Sequence, residues 1–249
     1  MKAYLQVLLF IILINNSFSQ KNNFIAEYKL IYKPIKFDSL TKKKSNNENV
    51  EFQKYFKSLI YNLKNAGNSL ENISYKLEFN KQASSFTINP ILESDISRGK
   101  LLRTMLGIKD ETYFTNDESI INNKNSYGED FLVDMPKLKW KIFNKKKKIG
   151  NYWCYKATTI VYRENSKKKF NKTVTAWFTP EISYNYGTKN YSGLPGLIVL
   201  LKENDNISLQ LVKIQEKRYS ILSKPKKGKK ISEKEFKALS KKMYENRKN

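Results

Sequence analysis

Side chains that could carry out catalysis are few in this chain. The sequence contains no histidine and a single cysteine, Cys154. This composition excludes Ser-His-Asp and Cys-His nucleophiles, histidine metal sites and clusters of thiolates. The chain also lacks a glycine-rich phosphate loop and a Gly-x-Ser-x-Gly turn. Paired carboxylates are therefore the one common catalytic device that the sequence could supply.

The candidate carboxylates lie beside predicted strands or within predicted turns. They are Glu129, Asp130, Asp134, Glu181, Asp110-Glu111 and Asp117-Glu118. Two carboxylates act as acid and base only when the fold brings them together and separates their pKa values. Nothing in their spacing indicates this, so solvated loop carboxylates are favoured. We predict a non-enzymatic protein without cofactor or metal, and a carboxylate-dependent hydrolase is kept as an alternative.

The charge of the chain is strongly positive, with 47 Lys and Arg against 23 Asp and Glu and a formal net charge of +24. Only five of the basic residues are arginine, the residue that makes the commonest specific base contacts. We therefore predict a solvated lysine-rich surface and no nucleic-acid partner. Loose attraction to anionic surfaces, such as lipopolysaccharide or lipid head groups, stays open as an alternative.

The N-terminus has the pattern of a signal peptide. Lys2 precedes a short apolar run, Val7–Ile14, which is too short to span a bilayer. Ser17-Phe18-Ser19 supplies small residues for cleavage after Ser19, which would leave Gln20 first. We expect an exported protein of the periplasm, cell surface or extracellular space, with no transmembrane segment in the mature chain. An uncleaved anchor helix is the competing interpretation.

Alternating apolar and polar residues predict a mainly β, α+β fold. The predicted strands are Phe24–Lys33, Ile73–Phe79, Ala83–Ile88, Thr112–Thr115, Ser119–Asn122, Phe131–Val133, Trp140–Phe143, Trp153–Tyr162, Thr173–Thr179, Leu197–Lys202 and Ile207–Ile214. Apolar residues at helical spacing predict one helix over Glu51–Lys64, whereas Ile91–Ile108 is ambiguous. The lysine run Lys145–Lys148 with Gly150 is predicted to be a turn. Together these patterns predict a curved antiparallel sheet or half-barrel of roughly ten strands with a covering helix.

The C-terminal part of the chain changes in composition after Leu222. Lys224–Lys230 is predicted to be a flexible basic linker. Ser232-Glu233-Lys234-Glu235 is a capping-box pattern, and Phe236, Leu239 and Met243 give the following helix a thin apolar stripe. This helix either docks on the sheet or frays. The predicted organisation is thus a signal peptide at 1–19, a β-rich domain at 20–222 and a basic linker with a short helix at 223–249.

The most distinctive stretch is Gly193-Leu194-Pro195-Gly196-Leu197-Ile198, which continues as an apolar run to Leu201. Glycine permits positive φ and proline fixes φ near the value of a turn. The pattern predicts a tight corner that leads into a buried strand. Gly193 and Gly196 would allow the corner and Pro195 would make it rigid. The strand around Trp177, which Pro180 ends, lies just upstream.

These residues resemble the GLPGLI family, secreted proteins of Bacteroidetes whose function is not established. The resemblance includes Cys154 ahead of Lys156-Ala157-Thr158, the strand Ala176–Thr179, Glu181-Ile182 and Tyr191-Ser192, and it covers the second half of the chain. One departure is Gly187-Thr188, where the family has Gly-Pro, and we expect a looser bend there. The resemblance implies export and names no activity.

The functional hypotheses follow from the aromatic content and the missing catalytic residues. We expect an envelope protein that binds an apolar or envelope-derived ligand in the concave face of the sheet. A second hypothesis is a protein that docks an outer-membrane partner through an exposed Trp177–Tyr191 segment. Trp177 itself is expected to anchor the core or a cavity. Cys154 is expected to be a small buried hydrophobe, with a reactive thiol or an intermolecular disulfide as the alternatives.

Overall fold

The computed structural model describes residues 22–32, 74–89, 111–164, 169–205, 207–218 and 222–246. Within these ranges the chain forms twelve strands and one helix. The strands are β1 (Asn23–Tyr32), β2 (Ser74–Phe79), β3 (Ser84–Ile88), β4 (Glu111–Phe114), β5 (Ser119–Ser126), β6 (Glu129–Asp134), β7 (Lys141–Ile149), β8 (Tyr152–Glu164), β9 (Lys169–Thr179), β10 (Leu197–Lys202), β11 (Ile207–Lys217) and β12 (Lys229–Ser232), and the helix is α1 (Glu233–Asn246).

All the described strands belong to one open sheet. Its order is β12-β6-β5-β4-β3-β2-β1-β11-β10-β9-β8-β7, so β12 and β7 form the two edges. Neighbouring strands are antiparallel except β12, which pairs in parallel with β6. The N-terminal strand β1 joins the two parts of the sheet, because it lies between β2 and β11. The predicted mainly β fold is therefore confirmed.

The alternation read from the sequence sets the faces of the central strands. In β1 the side chains of Ala26, Tyr28 and Leu30 are buried, while Lys29 between them is exposed. Leu77 of β2 lies opposite Ala26 and also opposite Phe86 of β3, so all three share the buried face. β2 and β3 form the predicted hairpin. A half-buried sheet of this kind holds its register because a slip of one residue would expose the apolar set.

The strand that follows the corner, β10, is buried on both of its faces. The five residues from Leu197 to Leu201 are each no more than 5% exposed. β10 lies between β9 and β11, and its pairing with β9 shifts between Ile198 and Leu200. Val199 is the extra residue of this β-bulge. The prediction of a buried strand directly after the corner is confirmed.

The sheet is curved, and its core face carries two apolar clusters. The larger cluster joins β1, β2, β3 and β8–β11 with the irregular segment 180–196, which packs across the core face. The smaller cluster consists of Ile121, Phe131 and Val133 and is covered by Ile231, Phe236 and Leu239, among other side chains. Residues of β3–β5 and of β8–β9 line the same cavity although they are distant in the strand order, so the sheet bends around it.

The C-terminal segment is part of the sheet. The capping box is confirmed, because the Ser232 backbone N–H and Oγ donate to Glu235 Oε2 at 2.9 and 2.6 Å, and the Glu235 N–H donates to Ser232 Oγ at 3.3 Å. Phe236 stacks edge-on against Phe131 of β6 with ring centroids 5.4 Å apart. The helix therefore docks. The predicted basic linker is wrong at its end, since Lys229 and Lys230 form β12 against β6.

The lysine run Lys145–Lys148 is also different from the prediction. It lies inside β7, and the turn that follows is formed by Gly150, with φ of +57°, and Asn151. Pairing with β8 supplies the backbone hydrogen bonds that keep these lysines extended. β7 is an edge strand, the position at which lysines discourage pairing with another sheet.

Some predictions fall on parts of the chain outside the described residues. They are the signal peptide at 1–19, the helix Glu51–Lys64 and the ambiguous stretch Ile91–Ile108. Within the described ranges, α1 does not have the length and apolar character that crossing a bilayer requires.

Candidate functional site

The corner before β10 has glycine at two positions with positive φ, a conformation that residues with a side chain adopt rarely. Gly193 has φ of +86° and Gly196 has φ of +144°. The Gly193 N–H donates to the Asn185 carbonyl at 2.7 Å, and the Gly196 N–H donates to the Leu194 carbonyl at 2.8 Å. A Cβ added to Gly196 would lie 2.1 Å from the Thr179 carbonyl oxygen, whereas one added to Gly193 would meet nothing within 4 Å. Gly196 thus lets the corner lie against the end of β9.

The corner delivers Ile198 into a set of long-range hydrogen bonds. The Ile198 N–H donates to the Tyr186 carbonyl at 3.0 Å. Its carbonyl accepts a hydrogen bond from the Tyr28 hydroxyl at 2.7 Å, across 170 positions of sequence. The bulge at Val199 explains this contact. A carbonyl next to a bulge is not paired with the neighbouring strand in the regular way, so it needs a hydrogen-bond donor from elsewhere. Burial of the hydroxyl raises the pKa of Tyr28 far above its ordinary value.

The bend at Gly187-Thr188 is tightly packed. A Cβ on Gly187 would lie 2.4 Å from the Tyr191 carbonyl oxygen and 2.6 Å from Cδ1 of Ile198. Thr188 is fully buried, and its carbonyl accepts a hydrogen bond from the Tyr191 N–H at 3.1 Å. Its hydroxyl has no hydrogen-bond partner among the described residues. Threonine in place of proline therefore adds a buried hydroxyl at this bend.

A cavity of about 670 Å³ lies on the core face of the curved sheet. Its apolar wall comes from five separate elements: Phe86 of β3, Ile121 of β5, Val161 of β8, Ile207 of β11 and Leu138 from the connection between β6 and β7. The lining also includes Lys189, Asn190 and Tyr191, which lie between the Gly187-Thr188 bend and the corner, and Glu233 and Lys237 of α1. This volume falls within the range typical of small-molecule sites. We take it as the candidate binding site.

One side of the cavity carries charge. Glu203, directly after β10, has an oxygen 2.5 Å from Nζ of Lys189 and another 3.8 Å from Nζ of Lys172. All three side chains are mostly buried, with between 13% and 26% of their surfaces exposed. The lining also includes an ion pair on α1, where Lys237 Nζ lies 2.7 Å from Glu233 Oε1. The cavity is thus amphipathic, with an apolar wall and a polar, lysine-containing rim.

A second, shallower cleft of about 490 Å³ lies at the corner itself. Pro195 and Gly196 form one side of it, and Tyr184 and Tyr186 form another. Its polar groups include Asn185, whose side-chain amide donates to the Asn116 side chain at 2.9 Å. Both tyrosine rings pack against Phe79 of β2. This cleft therefore lies where the segment before the corner packs onto the sheet.

Trp177, the predicted anchor, and Cys154, the predicted buried hydrophobe, both lie at the β7–β9 end of the sheet. Trp177 is 6% exposed, and Lys147 Nζ lies 4.2 Å from the centroid of one of its rings. The hypothesis of an exposed Trp177–Tyr191 docking segment is therefore wrong for Trp177, and also for Tyr186 and Tyr191, which are buried in the core. Cys154 is fully buried, as predicted, and its pKa is raised to about 11, mainly by burial and further by Glu181.

The candidate carboxylates are engaged separately. Glu181 accepts a hydrogen bond from the Trp153 N–H at 2.9 Å, and Glu111 accepts from Ser85 and Asn122. Asp130 accepts from the Asn125 N–H at 2.9 Å. The remaining candidates are Glu129 and Asp134, which are exposed on β6, Asp117, which is exposed in a turn, Glu118, which pairs with Lys224, and Asp110, which lies outside the described residues. In the described part of the chain no group of three acidic or cysteine side chains could hold a metal ion.

Comparison with known proteins gives one family match. A family model described as a protein of unknown function (Porph_ging) matches residues 162–200. The matched stretch runs from the end of β8 through β9 and the corner into β10. The similarity therefore includes β9, the corner and part of β10, and the function of that family is not known. No curated protein matches this chain.

Two solved structures of PNGF-II, in space groups C2 and P21, are similar to this chain. The identities are 12% and 10%, and the TM-score is 0.49 in both cases. The alignments cover 88% of this chain but 32% and 33% of the PNGF-II chains. This chain thus spans about a third of the length of those proteins.

Proposed function

We propose that this chain is an exported envelope protein, with no catalytic role, that binds an apolar or envelope-derived ligand in the cavity of the curved sheet. The observation that carries the proposal is the cavity of about 670 Å³, because its walls combine side chains of five elements with a polar rim. A ligand with an apolar body and a polar end fits this lining, since its body would contact Phe86, Ile121 and Val161. The polar end would lie near Lys189 and Glu203.

The chemistry of the chain supports binding over turnover. The sequence supplies no histidine and one cysteine, whose thiol is buried and hydrogen-bonded toward the Tyr152 carbonyl at 3.6 Å. Three carboxylates accept hydrogen bonds from backbone or side-chain donors of other segments, namely Glu181, Glu111 and Asp130. These hydrogen bonds indicate a structural role. A carboxylate-dependent hydrolase is therefore the less favoured proposal. Docking of an outer-membrane partner is also less favoured, because Trp177 is buried.

Ligand binding is tested with an anionic amphipathic dye, an anilinonaphthalene sulfonate, displaced by fatty acids of increasing length. Val161→Trp would fill the cavity from β8, and we expect it to raise the dissociation constant. The matched control is Val212→Trp, because Val212 is 50% exposed on β11 and does not line the cavity. Far-ultraviolet circular dichroism checks that both variants fold. Equal dye affinity in the two folded variants would rule out this cavity as the site.

Export is tested on protein recovered from the periplasm of a cell that expresses the full chain. The apolar run Val7–Ile14 and the small residues before Gln20 support cleavage after Ser19. We expect the intact mass of the recovered protein to correspond to a chain that begins at Gln20. Recovery of the uncleaved chain in the cytoplasmic fraction would contradict the proposal.

A further inference from the structure

The edge strand β7 concentrates positive charge. Five of its nine residues are lysine, at positions 141 and 145–148, and none is acidic. β7 is the last strand in the sheet order, so one side of its backbone has no neighbouring strand among the described residues. Burial lowers the pKa of Lys147, and repulsion from Lys202 and Lys145 lowers it further, whereas Cys154 has the opposite effect. This shift is consistent with crowded positive charge on β7.

The register of β7 with β8 places lysines and exposed apolar side chains on the same face. Lys148 lies opposite Trp153, Lys146 lies opposite Tyr155, and Ile142 lies opposite Ala157. Alternate residues of β8 share a face, so these pairs do as well. Ile142 is 50% exposed and Trp153 is 48% exposed, and both lysines are exposed. We call Ile142, Lys146, Lys148 and Trp153 the edge patch.

The patch has the chemistry of a bilayer interface. Tryptophan is enriched where lipid head groups meet the hydrocarbon, because its ring is apolar and its N–H is polar. Lys146 Nζ lies 4.8 Å from the centroid of one Trp153 ring, so the cation and the ring could contact the same surface. Lysine side chains close to an anionic lipid surface are attracted to it. One acid, Glu181, contacts the patch, and its Oε1 accepts a hydrogen bond from the Trp153 N–H at 2.9 Å.

Charge complementarity decides which partner fits. A second copy of the chain pairing along β7 would bring lysines opposite lysines, which is destabilising. Nucleic acid is not favoured, because the strand has no arginine for base contacts. We propose that the edge patch docks the protein onto an anionic lipid bilayer, with Trp153 and Ile142 at the head-group level and Lys146 and Lys148 against the lipid phosphates. This proposal does not depend on a ligand in the cavity.

The test is co-sedimentation of the full chain with vesicles of phosphatidylcholine alone or mixed equally with phosphatidylglycerol. We expect binding to the anionic vesicles only. The double variant Lys146→Gln, Lys148→Gln should bind about tenfold or more weakly. The control is Lys29→Gln, Lys213→Gln, since both lysines are exposed on β1 and β11 and the same two charges are removed. Equal losses in the two double variants would show that total charge, and not the edge patch, drives binding.

Tryptophan fluorescence provides a second readout that does not depend on charge. Vesicle binding should shift the emission of the protein to the blue, and Trp153→Phe should abolish the shift, because Trp140 and Trp177 are less exposed. A shift retained in Trp153→Phe, or equal binding to phosphatidylcholine vesicles, overturns the proposal. Binding to soluble dextran sulfate without binding to vesicles also overturns it and points to a polyanion. Val161→Trp should leave vesicle binding unchanged, which separates this proposal from the cavity.

Discussion

Replacing Gly196 by alanine should destabilise the protein much more than replacing Gly193, although both glycines have positive φ. A Cβ on Gly196 would lie 2.1 Å from the carbonyl oxygen and 2.6 Å from the carbonyl carbon of Thr179. Both are backbone atoms of β9, so relief requires the corner and the strand to separate by about 1 Å. Gly193 has open space around the same position. The two substitutions therefore separate backbone conformation from steric contact.

The magnitudes follow from these two contributions. Positive φ in alanine costs roughly 1–2 kcal/mol, which is the whole expected effect of Gly193→Ala. Overpacking against backbone adds roughly 1–3 kcal/mol, so Gly196→Ala should lower the free energy of unfolding by about 2–5 kcal/mol. In a chain of this length each kcal/mol corresponds to roughly 2–4 °C in Tm. Gly196→Ala should thus reduce Tm by roughly 10 °C.

Urea unfolding followed by both circular dichroism and tryptophan fluorescence measures the difference directly. We expect the loss of unfolding free energy in Gly196→Ala to exceed that in Gly193→Ala by roughly 1–3 kcal/mol. Similar effects of the two variants would refute the close approach between the corner and Thr179. A negligible effect of both would refute the positive φ values.

Four further changes test other parts of the structure. Tyr28→Phe should reduce the free energy of unfolding by about 1–3 kcal/mol in urea titrations, because the buried Ile198 carbonyl loses its donor, whereas Tyr162→Phe at an exposed position should be neutral. Thr188→Val should raise that free energy by about 1 kcal/mol, since it removes a buried hydroxyl without a recorded partner; a loss of stability would mean that the hydroxyl is satisfied. Cys154 should react with iodoacetamide roughly a hundredfold more slowly in the native protein than in urea at neutral pH, because burial raises its pKa to about 11; equal rates would contradict its burial. Hydrogen bonds from Ser232 lower the pKa of Glu235 in the folded protein. The ionised Glu235 side chain therefore stabilises α1 above the ordinary titration range of glutamate, and this stabilisation is lost as the pH falls through the pKa of the folded state. The pH at which the circular dichroism signal of the helix is lost in acid should shift in Glu235→Gln.

Local patterns were sufficient to predict most of the sheet. Alternation in β1 and in the β2–β3 hairpin reflects burial of one face, which a single strand already encodes. The corner was predictable because its glycines and proline restrict the backbone within a few residues. Burial of the following strand was predictable from the uninterrupted apolar run Leu197–Leu201.

The elements that sequence patterns missed depend on distant partners. β12, with the sequence Lys-Lys-Ile-Ser, has no strand pattern of its own and is extended because β6 pairs with it. The lysines of β7 have low β-propensity, and pairing with β8 holds them in the sheet. The hydrogen bond from Tyr28 to Ile198 depends on a bulge that no local signal revealed.

The sequence predicted that a site would lie on the concave face of the sheet, but it did not predict which side chains line it. The notion of a concave face followed from the many aromatic residues on alternating positions. The cavity itself is formed by side chains such as Phe86, Val161 and Ile207, which are separated along the chain and meet because the sheet bends. The direction of Trp177 could not be inferred either, since both faces of β9 carry apolar residues and Lys147 packs over the ring from β7.

The central claim is that the cavity on the core face holds a ligand, and native mass spectrometry tests it most directly. The protein should be purified from its own cell envelope without detergent, beside the Val161→Trp variant prepared in the same way. We predict an additional mass of lipid size on the unmodified protein that is lost in the variant. The bare polypeptide mass in both samples, or the same added mass in both, would contradict the claim.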